Sequence, residues 1–509
     1  MRGVDLVVVG DGPAAVAFLD ALARLPGPPP ARLWVCRARP EPWRGAAFGP
    51  DPGPAARVNL PARLMSVRHE DPGHLLRRLL ERPDPDADRP GGSPTYPTRA
   101  HYGRYLAGTA EAAVAELRAR GASVRTDLGP VTDTERTGDG TRLRIRPGPA
   151  APAGAPSFTV TASFTVTAAR VVWCVGGLRA IDPLGLGPAP WHLPTPYPLG
   201  TLAERVPATA PVTVIGTGLT AVETAVTLLR AGRRAPIRLL SRHGLLPAVR
   251  PEEPPADPAR PPDASAPQVR AALRASRREG WTAHALRAAM TAELAAAGAH
   301  WSDLAPELAD TEPAPARLDR HLAGEPGAER ARTVLRRILL DTGPEALELL
   351  PEATRASWWG RYGRLVNNVL LPMPPDHART LREAMRAGLV TVGRLDAVPV
   401  PVPVPPAGGL VISAVHAIAP EPLPGIRRHG PRPTPHPSGG FTVEPGTGRV
   451  LFDGAPDPGT YALGAPARAT RPLTDSVASL TRQAARAATA VATVTANASG
   501  MTTATRRPL

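Results

Sequence analysis

The chain has 509 residues, enough for two or three domains with cores of their own, and at 42% hydrophobic residues it is expected to fold despite 66 Pro and 48 Gly. The net charge of +15 rests on arginine alone, since the sequence contains no lysine, and this excludes Schiff-base and other lysine-dependent catalysis. The arginines are scattered and aromatic residues make up only 4%, so neither a nucleic-acid-binding face nor a stacking platform for single strands is expected.

The N-terminus runs directly into Leu6-Val7-Val8-Val9, a short β-branched stretch suited to a buried parallel strand. No secretory leader is read there, and no apolar run approaches membrane-spanning length, so a cytoplasmic protein without membrane contact is expected. Gly10-Asp11-Gly12-Pro13-Ala14-Ala15 follows and opens a helix over Ala14–Arg24. This is a dinucleotide fingerprint in its proper strand–turn–helix context. Gly10 makes the tight turn, Gly12 lets the backbone approach a pyrophosphate, and the small Ala15 lets helix and strand pack closely. The helix N-terminus, at Pro13 and Ala14, supplies N–H groups and a dipole to the anion. The next strand, Leu33-Trp34-Val35, leads into Cys36-Arg37-Ala38-Arg39. A ribose-binding carboxylate is expected about 20 residues past the fingerprint. Arg37 stands there instead, either to hydrogen-bond or stack on an adenosine, or to point to solvent. Cys36 and Cys174 sit in apolar strands without a C-x-x-C pair and read as core residues.

A loop-rich stretch covers Pro40–Arg68, and a helix is expected over Asp71–Arg82, where an exposed loop-to-helix position explains His69 and His74 beside Asp71 as well as a ligand role does. Turn-rich Pro83–Pro97 precedes a helix over Tyr102–Arg120 and strands at Val124–Thr126 and Thr141–Ile145. The hexapeptide SFTVTA occurs twice in tandem, Ser157–Ala162 and Ser163–Ala168, with strand alternation. A strand from Arg170 then ends in the glycine turn Gly176-Gly177.

The second fingerprint, Gly216-Thr217-Gly218-Leu219-Thr220-Ala221, follows the strand Val212–Ile215 and opens a helix over Leu219–Arg230. The strand after it ends Leu240-Ser241-Arg242-His243, where Ser241 and Arg242 suit the 2′-phosphate of NADPH better than a ribose hydroxyl of NADH. Pro-rich Pro251–Pro267 introduces a helical insertion over Val269–Tyr362 that holds half of the 8 Trp residues. Trp281, Trp301, Trp358 and Trp359 read first as helix-packing residues and second as a lid over the cofactors. Val398–Pro406 alternates Val and Pro, which implies an edge or extended connector. Strand character returns at Gly409–Ala414, and a last helix covers Thr474–Ala492.

Together these segments resemble two-dinucleotide flavoproteins, and more narrowly bacterial FAD/NAD(P)-binding proteins distantly related to the flavin N-hydroxylating monooxygenases. The resemblance is carried by both fingerprints, by Val58-Asn59-Leu60-Pro61-Ala62-Arg63-Leu64-Met65-Ser66, and by the R-x-x-Y-G-x-Y-L block Arg99–Leu106. Gly244-Leu245-Leu246-Pro247 and Tyr461-Ala462-Leu463-Gly464 extend it to nearly the whole chain. It implies that Asn59, Leu60, Met65, Ser66, Tyr102, Gly176 and Gly464 line the FAD site. The chain departs from the family's pattern at Arg37, at Val175, and at Val415, where a glycine is absent.

The expected fold is α/β, with two Rossmann-like dinucleotide-binding domains and a helical insertion. An FAD domain over 1–200 and 390–495 is interrupted by an NAD(P)H domain over 205–389 that includes the insertion 269–362, with a flexible tail at 496–509. The expected function is that of an FAD-dependent, NADPH-using oxidoreductase, a monooxygenase acting on a small molecule such as an amine. The alternatives are an NAD(P)H-dependent reductase without oxygen chemistry and a degenerate, non-redox dinucleotide-binding protein. No His/Cys cluster has metal spacing, and catalytic residues are not indicated, since in a flavin enzyme the isoalloxazine carries the chemistry.

Overall fold

The computed structural model describes residues 3–49, 53, 56–82, 96–147, 163–176, 178–180, 182, 184–251, 266–308, 312–395, 408–418, 433–434, 440–468, 470 and 477–498. The first unit is built from β1 (Val4–Val9), α1 (Pro13–Arg24), β2 (Arg32–Cys36), α2 (His74–Glu81), α3 (Arg99–Ala119), β3 (Ser123–Leu128), β4 (Val131–Thr137), β5 (Gly140–Ile145) and β6 (Phe164–Trp173). β1 lies at its centre, parallel to both β2 and β6. Its continuous apolar run is explained by burial on both faces. Leu6 and Val8 join the core under α1 and α3, while Val7 and Val9 pack on the opposite face with Leu143, Ile145 and Trp173.

The second copy of the duplicated hexapeptide and the strand from Arg170 are one strand, β6. Its first half pairs antiparallel with β5, and its second half pairs with β1. The first copy, the segments 252–265 and 398–406, most of Pro83–Pro97 and the chain beyond 498 lie outside the described residues. α2 begins at His74 rather than Asp71, and α3 begins three residues before Tyr102, because the hydroxyl of Thr98 caps it by accepting from the His101 N–H. β4, absent from the sequence reading, is a half-polar hairpin partner of β5 without an apolar run to announce it.

The chain leaves the first unit through β7 (Leu178–Ala180) and enters a second sheet with β8 (His192–Leu193), α4 (Leu202–Arg205), β9 (Val212–Ile215), α5 (Leu219–Arg230) and β10 (Ile237–Ser241). Helices α6 (Pro267–Glu279), α7 (Ala283–Ala296), α8 (Ala305–Leu308), α9 (Ala314–Ala323), α10 (Pro326–Asp341), α11 (Gly343–Glu348), α12 (Glu352–Leu370) and α13 (Pro375–Arg386) follow. β11 (Val390–Arg394) and β12 (Leu410–Ser413) complete a five-stranded sheet in the order β11-β10-β9-β12-β8. All its pairings are parallel. β13 (His416–Ile418) pairs antiparallel with β7, so the outward and return crossings run side by side. β14 (Arg449–Phe452), β15 (Ala455–Ala462) and α14 (Val477–Ala498) return to the first unit, β15 lying parallel to β6.

Sheet pairing corrects the expected boundaries. The crossing into the second unit precedes His192 rather than following residue 200, and the return follows Ser413 rather than residue 390. The helical insertion is also shared differently. Residues of α6, α7, α10 and α12 belong to one continuous hydrophobic core with α1, α3 and α14, whereas α9 and α13 pack with the second sheet. The final helix extends to Ala498, past the expected start of the tail at 496.

Candidate functional site

Both glycine turns sit where a strand's C-terminal end meets its neighbours. Gly10 has φ +109° and Gly216 φ +125°, a region that side chains avoid. A Cβ on Gly10 would lie 2.6 Å from the carbonyl oxygen of Cys174, just past β6, and one on Gly216 would lie 3.2 Å from that of Ala414, just past β12. Each turn is also tied to the next strand, through Gly10 N–H to Cys36 O (2.8 Å) and Gly216 N–H to Leu240 O (2.6 Å). Gly12 and Gly218 then occupy the N-cap positions of α1 and α5 without a side-chain cap, which leaves the first helical N–H groups for an anion. Ala15 and Ala221 are fully buried against the strands. Above Gly218 and Gly176 a Cβ would meet nothing within 4 Å, so the backbone there is open to approach.

The first turn has a second wall. The buried carboxylate of Asp11 accepts from the Trp43 N–H (3.2 Å) and draws the loop over the turn, where Gly45 faces Gly12 backbone to backbone. Burial pushes the Asp11 carboxyl up, against the backbone hydrogen bond from Trp43 and the charge of Arg37. Arg37 corrects the solvent-pointing alternative. It is 7% exposed, and it donates to the carbonyls of Thr126 (3.2 Å), Arg39 (2.6 Å) and Pro40 (2.5 Å). The side chain thus braces the chain entering Trp43.

The R-x-x-Y-G-x-Y-L block organises the adjoining loops. Gly103 brings the α3 backbone against the carbonyl of Phe48, leaving no room for a Cβ. Tyr102 donates to Met65 O (3.0 Å) and packs edge-on against Phe48. It has no exposed surface of its own. Tyr105 accepts from the Val67 N–H (3.0 Å) and pairs with His74 Nδ1 (2.9 Å). His74 is therefore buried rather than exposed, and its ring is driven down to about 4, chiefly by burial. Leu60 and Met65 are buried and Asn59 half-buried, around the turn Ala62–Leu64. The Ser66 hydroxyl is engaged in the turn toward α2, donating to Asp71 O (2.7 Å) and accepting from the Arg68 N–H (3.0 Å). Gly464, with φ +70°, brings its backbone beside Ala14.

At the second turn, Thr217 Oγ1 donates to Leu245 O (2.6 Å) and lies 2.9 Å from Ser241 Oγ, which accepts from the Gly244 N–H (3.0 Å). The Ser241 hydroxyl therefore shapes the turn after β10, while Arg242 projects into solvent and Leu219 and Thr220 are half-buried at the start of α5. His243 meets Arg364 of α12, Nδ1 to Nη1, at 3.5 Å.

A buried ion pair joins α3 of the first unit to α5 of the second, and sequence inspection missed it. Arg99, at the start of α3, donates to Glu223 of α5 (2.8 Å) and to the carbonyl of Arg57 (3.2 Å), two residues before Asn59. Tyr197 Oη donates to the same carboxylate (3.4 Å). Burial pushes the Glu223 carboxyl up, opposed by Arg99, whose own charge is held by that carboxylate. Arg99 already stood in the recognised block; only its partner was invisible. Among the described residues, no three His, Cys, Asp or Glu side chains are placed to hold a metal ion, and no helix is long and apolar enough to cross a membrane.

Comparison with known proteins agrees with this architecture. Residues 7–176 match a family model described as FAD-NAD(P)-binding. No curated protein sequence matches the chain significantly. Among solved structures, the chain is similar to the Kutzneria sp. 744 ornithine N-hydroxylase KtzI, solved with reduced FAD, NADP⁺ and L-ornithine, at 15% identity and a TM-score of 0.55 over 97% of this chain and 100% of that one. The ornithine hydroxylase PvdA of Pseudomonas aeruginosa aligns at 13% identity and a TM-score of 0.56, covering 96% and 98% of the two chains. DfoA, the FAD-bound cadaverine monooxygenase of Erwinia amylovora, aligns at 11% identity and a TM-score of 0.55, covering 96% and 95%. The chain thus has the fold of these two-dinucleotide-domain flavoproteins, with its N-terminal third matching the FAD-NAD(P)-binding family.

Proposed function

We propose that the protein is an FAD-dependent, NADPH-using monooxygenase that hydroxylates the amino group of a small molecule. The observation that carries this reading is the presence of two glycine turns without a side-chain cap, each between a parallel strand and a helix, in two units joined by Arg99 and Glu223. When bound, NADPH supplies hydride and FAD carries it to oxygen chemistry. The chain's residues bind and orient. The Gly10–Ala15 turn and the Trp43–Gly45 loop form a backbone-lined cradle for a pyrophosphate, with Asn59, Leu60 and Met65 bordering the flavin. Gly216, Gly218, Leu219 and Thr220 receive the second pyrophosphate, and Arg242 receives the 2′-phosphate. The amine class is supported by the substrates named for the similar structures, ornithine and cadaverine.

Purified protein should release FAD on denaturation, bleach under anaerobic NADPH, and in air convert one member of a panel of ornithine, lysine and cadaverine to a hydroxylamine. Bleaching without any hydroxylated product would leave a reductase, and failure to bind FAD at high micromolar concentration would leave a non-redox nucleotide binder. That last reading is favoured by one observation, the structural use of Arg37 where a ribose-binding carboxylate is expected. Arg242→Ala should raise KM for NADPH by about ten- to a hundredfold, the worth of one charge-assisted phosphate contact, and leave NADH almost unchanged.

A further inference from the structure

The turn after β10 is assembled from both the nucleotide-binding unit and the helical layer. Its backbone is rigid: Ser241 Oγ binds Thr217 and the Gly244 N–H, and Gly244 packs on the carbonyl of Gly393 and the side chain of Arg394, at the end of β11. Arg242 extends into solvent from this turn, and His243 beside it meets Arg364. Arg364 is half-buried, and its helix α12 is anchored by the buried Gly363, Leu365 and Val366 on either side of it. The guanidinium thus reaches the turn from a fixed base. Nη1 of Arg364 lies 3.5 Å from Nδ1 of His243, which sets the imidazole and the guanidinium side by side at the turn.

A 2′-phosphate is a phosphomonoester with about −1.5 to −2 charges at pH 7, more than one guanidinium neutralises. We infer that Arg364 of the helical layer completes a 2′-phosphate site with Arg242 and His243, so that NADPH is gripped from two layers of the fold. This rests on the NADPH reading given above. The helical layer then takes part in coenzyme selection, and its seating on the second unit is coupled to coenzyme binding.

The test is calorimetric titration of the FAD-loaded protein with adenosine 2′,5′-bisphosphate and with 5′-AMP, which differ only in the 2′-phosphate. Arg364→Ala should weaken the bisphosphate by about tenfold or more, as for loss of a charge-assisted contact, and change 5′-AMP by less than about twofold. Arg364→Gln, which keeps length but not charge, should behave likewise with unchanged FAD content and melting temperature. Wild-type protein that binds the two ligands equally would overturn the NADPH reading and this inference together. Wild-type discrimination that survives in both Arg364 variants, or equal weakening of both ligands, would overturn this inference alone.

Discussion

A Cβ on Gly103 would lie 2.0 Å from the Phe48 carbonyl oxygen, so this helical glycine is required by the loop resting on it rather than by the helix. Gly103→Ala should stabilise α3 intrinsically, by up to about 1 kcal/mol, yet displace the Trp43–Phe48 wall. The expected result is a lowered flavin-to-protein ratio on purification; full FAD occupancy in the variant would show that the loop has another seat. Arg37 follows the same logic. Its guanidinium braces carbonyls that no neutral side chain could satisfy, and removing it should cost on the order of 1.5–3 kcal/mol in a urea titration. Arg37→Asp should be worse than Arg37→Ala, because a carboxylate would face the carbonyl oxygens of Thr126, Arg39 and Pro40. A gain in FAD affinity from Asp would contradict this bracing role. That position 37 lacked a carboxylate was legible in the sequence. What the arginine does instead was not, because one of its acceptors, Thr126, stands 89 residues away.

Among the elements, the helical layer was legible as helices but not as a packing partner. Apolar periodicity over 269–362 marks helices, yet it says only that one face is buried, not against what. Trp281 is a packing residue as first read, buried with its indole N–H donating to Ala346 O (2.7 Å), whereas Trp358, Trp359 and Tyr362 form a half-buried aromatic cluster on α12. Where α8, α9 and α10 meet, the fully buried Glu307 accepts from Arg320 (3.2 Å), His321 (2.8 Å) and Arg332 (2.9 Å), and pairs with Arg317. His321 Nδ1 in turn accepts from the Val249 N–H (3.3 Å), which pins the loop leaving the second nucleotide turn. Burial alone would raise the Glu307 carboxyl, but His321, Arg317 and Arg332 outweigh it and hold the group well below the usual range. A carboxylate depressed in the folded state contributes stability above its ordinary value of 4.5 and loses it as pH falls further. The urea midpoint should therefore drop between about pH 4.5 and pH 3. Glu307→Gln should flatten that acid limb while lowering stability at pH 7 by about 3–5 kcal/mol, since it strands buried arginines. An unchanged acid limb in the variant would assign the acid sensitivity to other carboxylates.

For the molecule as a whole, the two units are held in register by Arg99, Glu223 and Tyr197. Arg99→Ala leaves a carboxylate at 4% exposure without its cation, which should cost about 3–5 kcal/mol in unfolding free energy. The double variant Arg99→Met with Glu223→Leu should recover most of that loss, because a buried ion pair is seldom more stabilising than a well-packed apolar pair. Anaerobic bleaching by NADPH should stay slow in both variants even with FAD fully bound, if the polar pair sets the approach of the two cofactors. Wild-type bleaching rates in the double variant would reduce the pair to a structural contact.

The two glycine turns were determined by sequence alone because everything that makes them is consecutive: an apolar run, a residue free to take positive φ, and a helix start without a side-chain cap. The parallel sheets follow from the same local pattern, since runs such as Leu6–Val9 are stable only when both faces are covered. The tertiary structure decided what local pattern does not encode. It set the crossings beside β7 and β13, and the sharing of the helical layer between two cores. It also paired Arg99 with Glu223 across 124 residues and His243 with Arg364 across 121. In a chain whose 60 cations are all arginine, no single guanidinium is marked by type, and the acceptors that the fold places beside it decide its task.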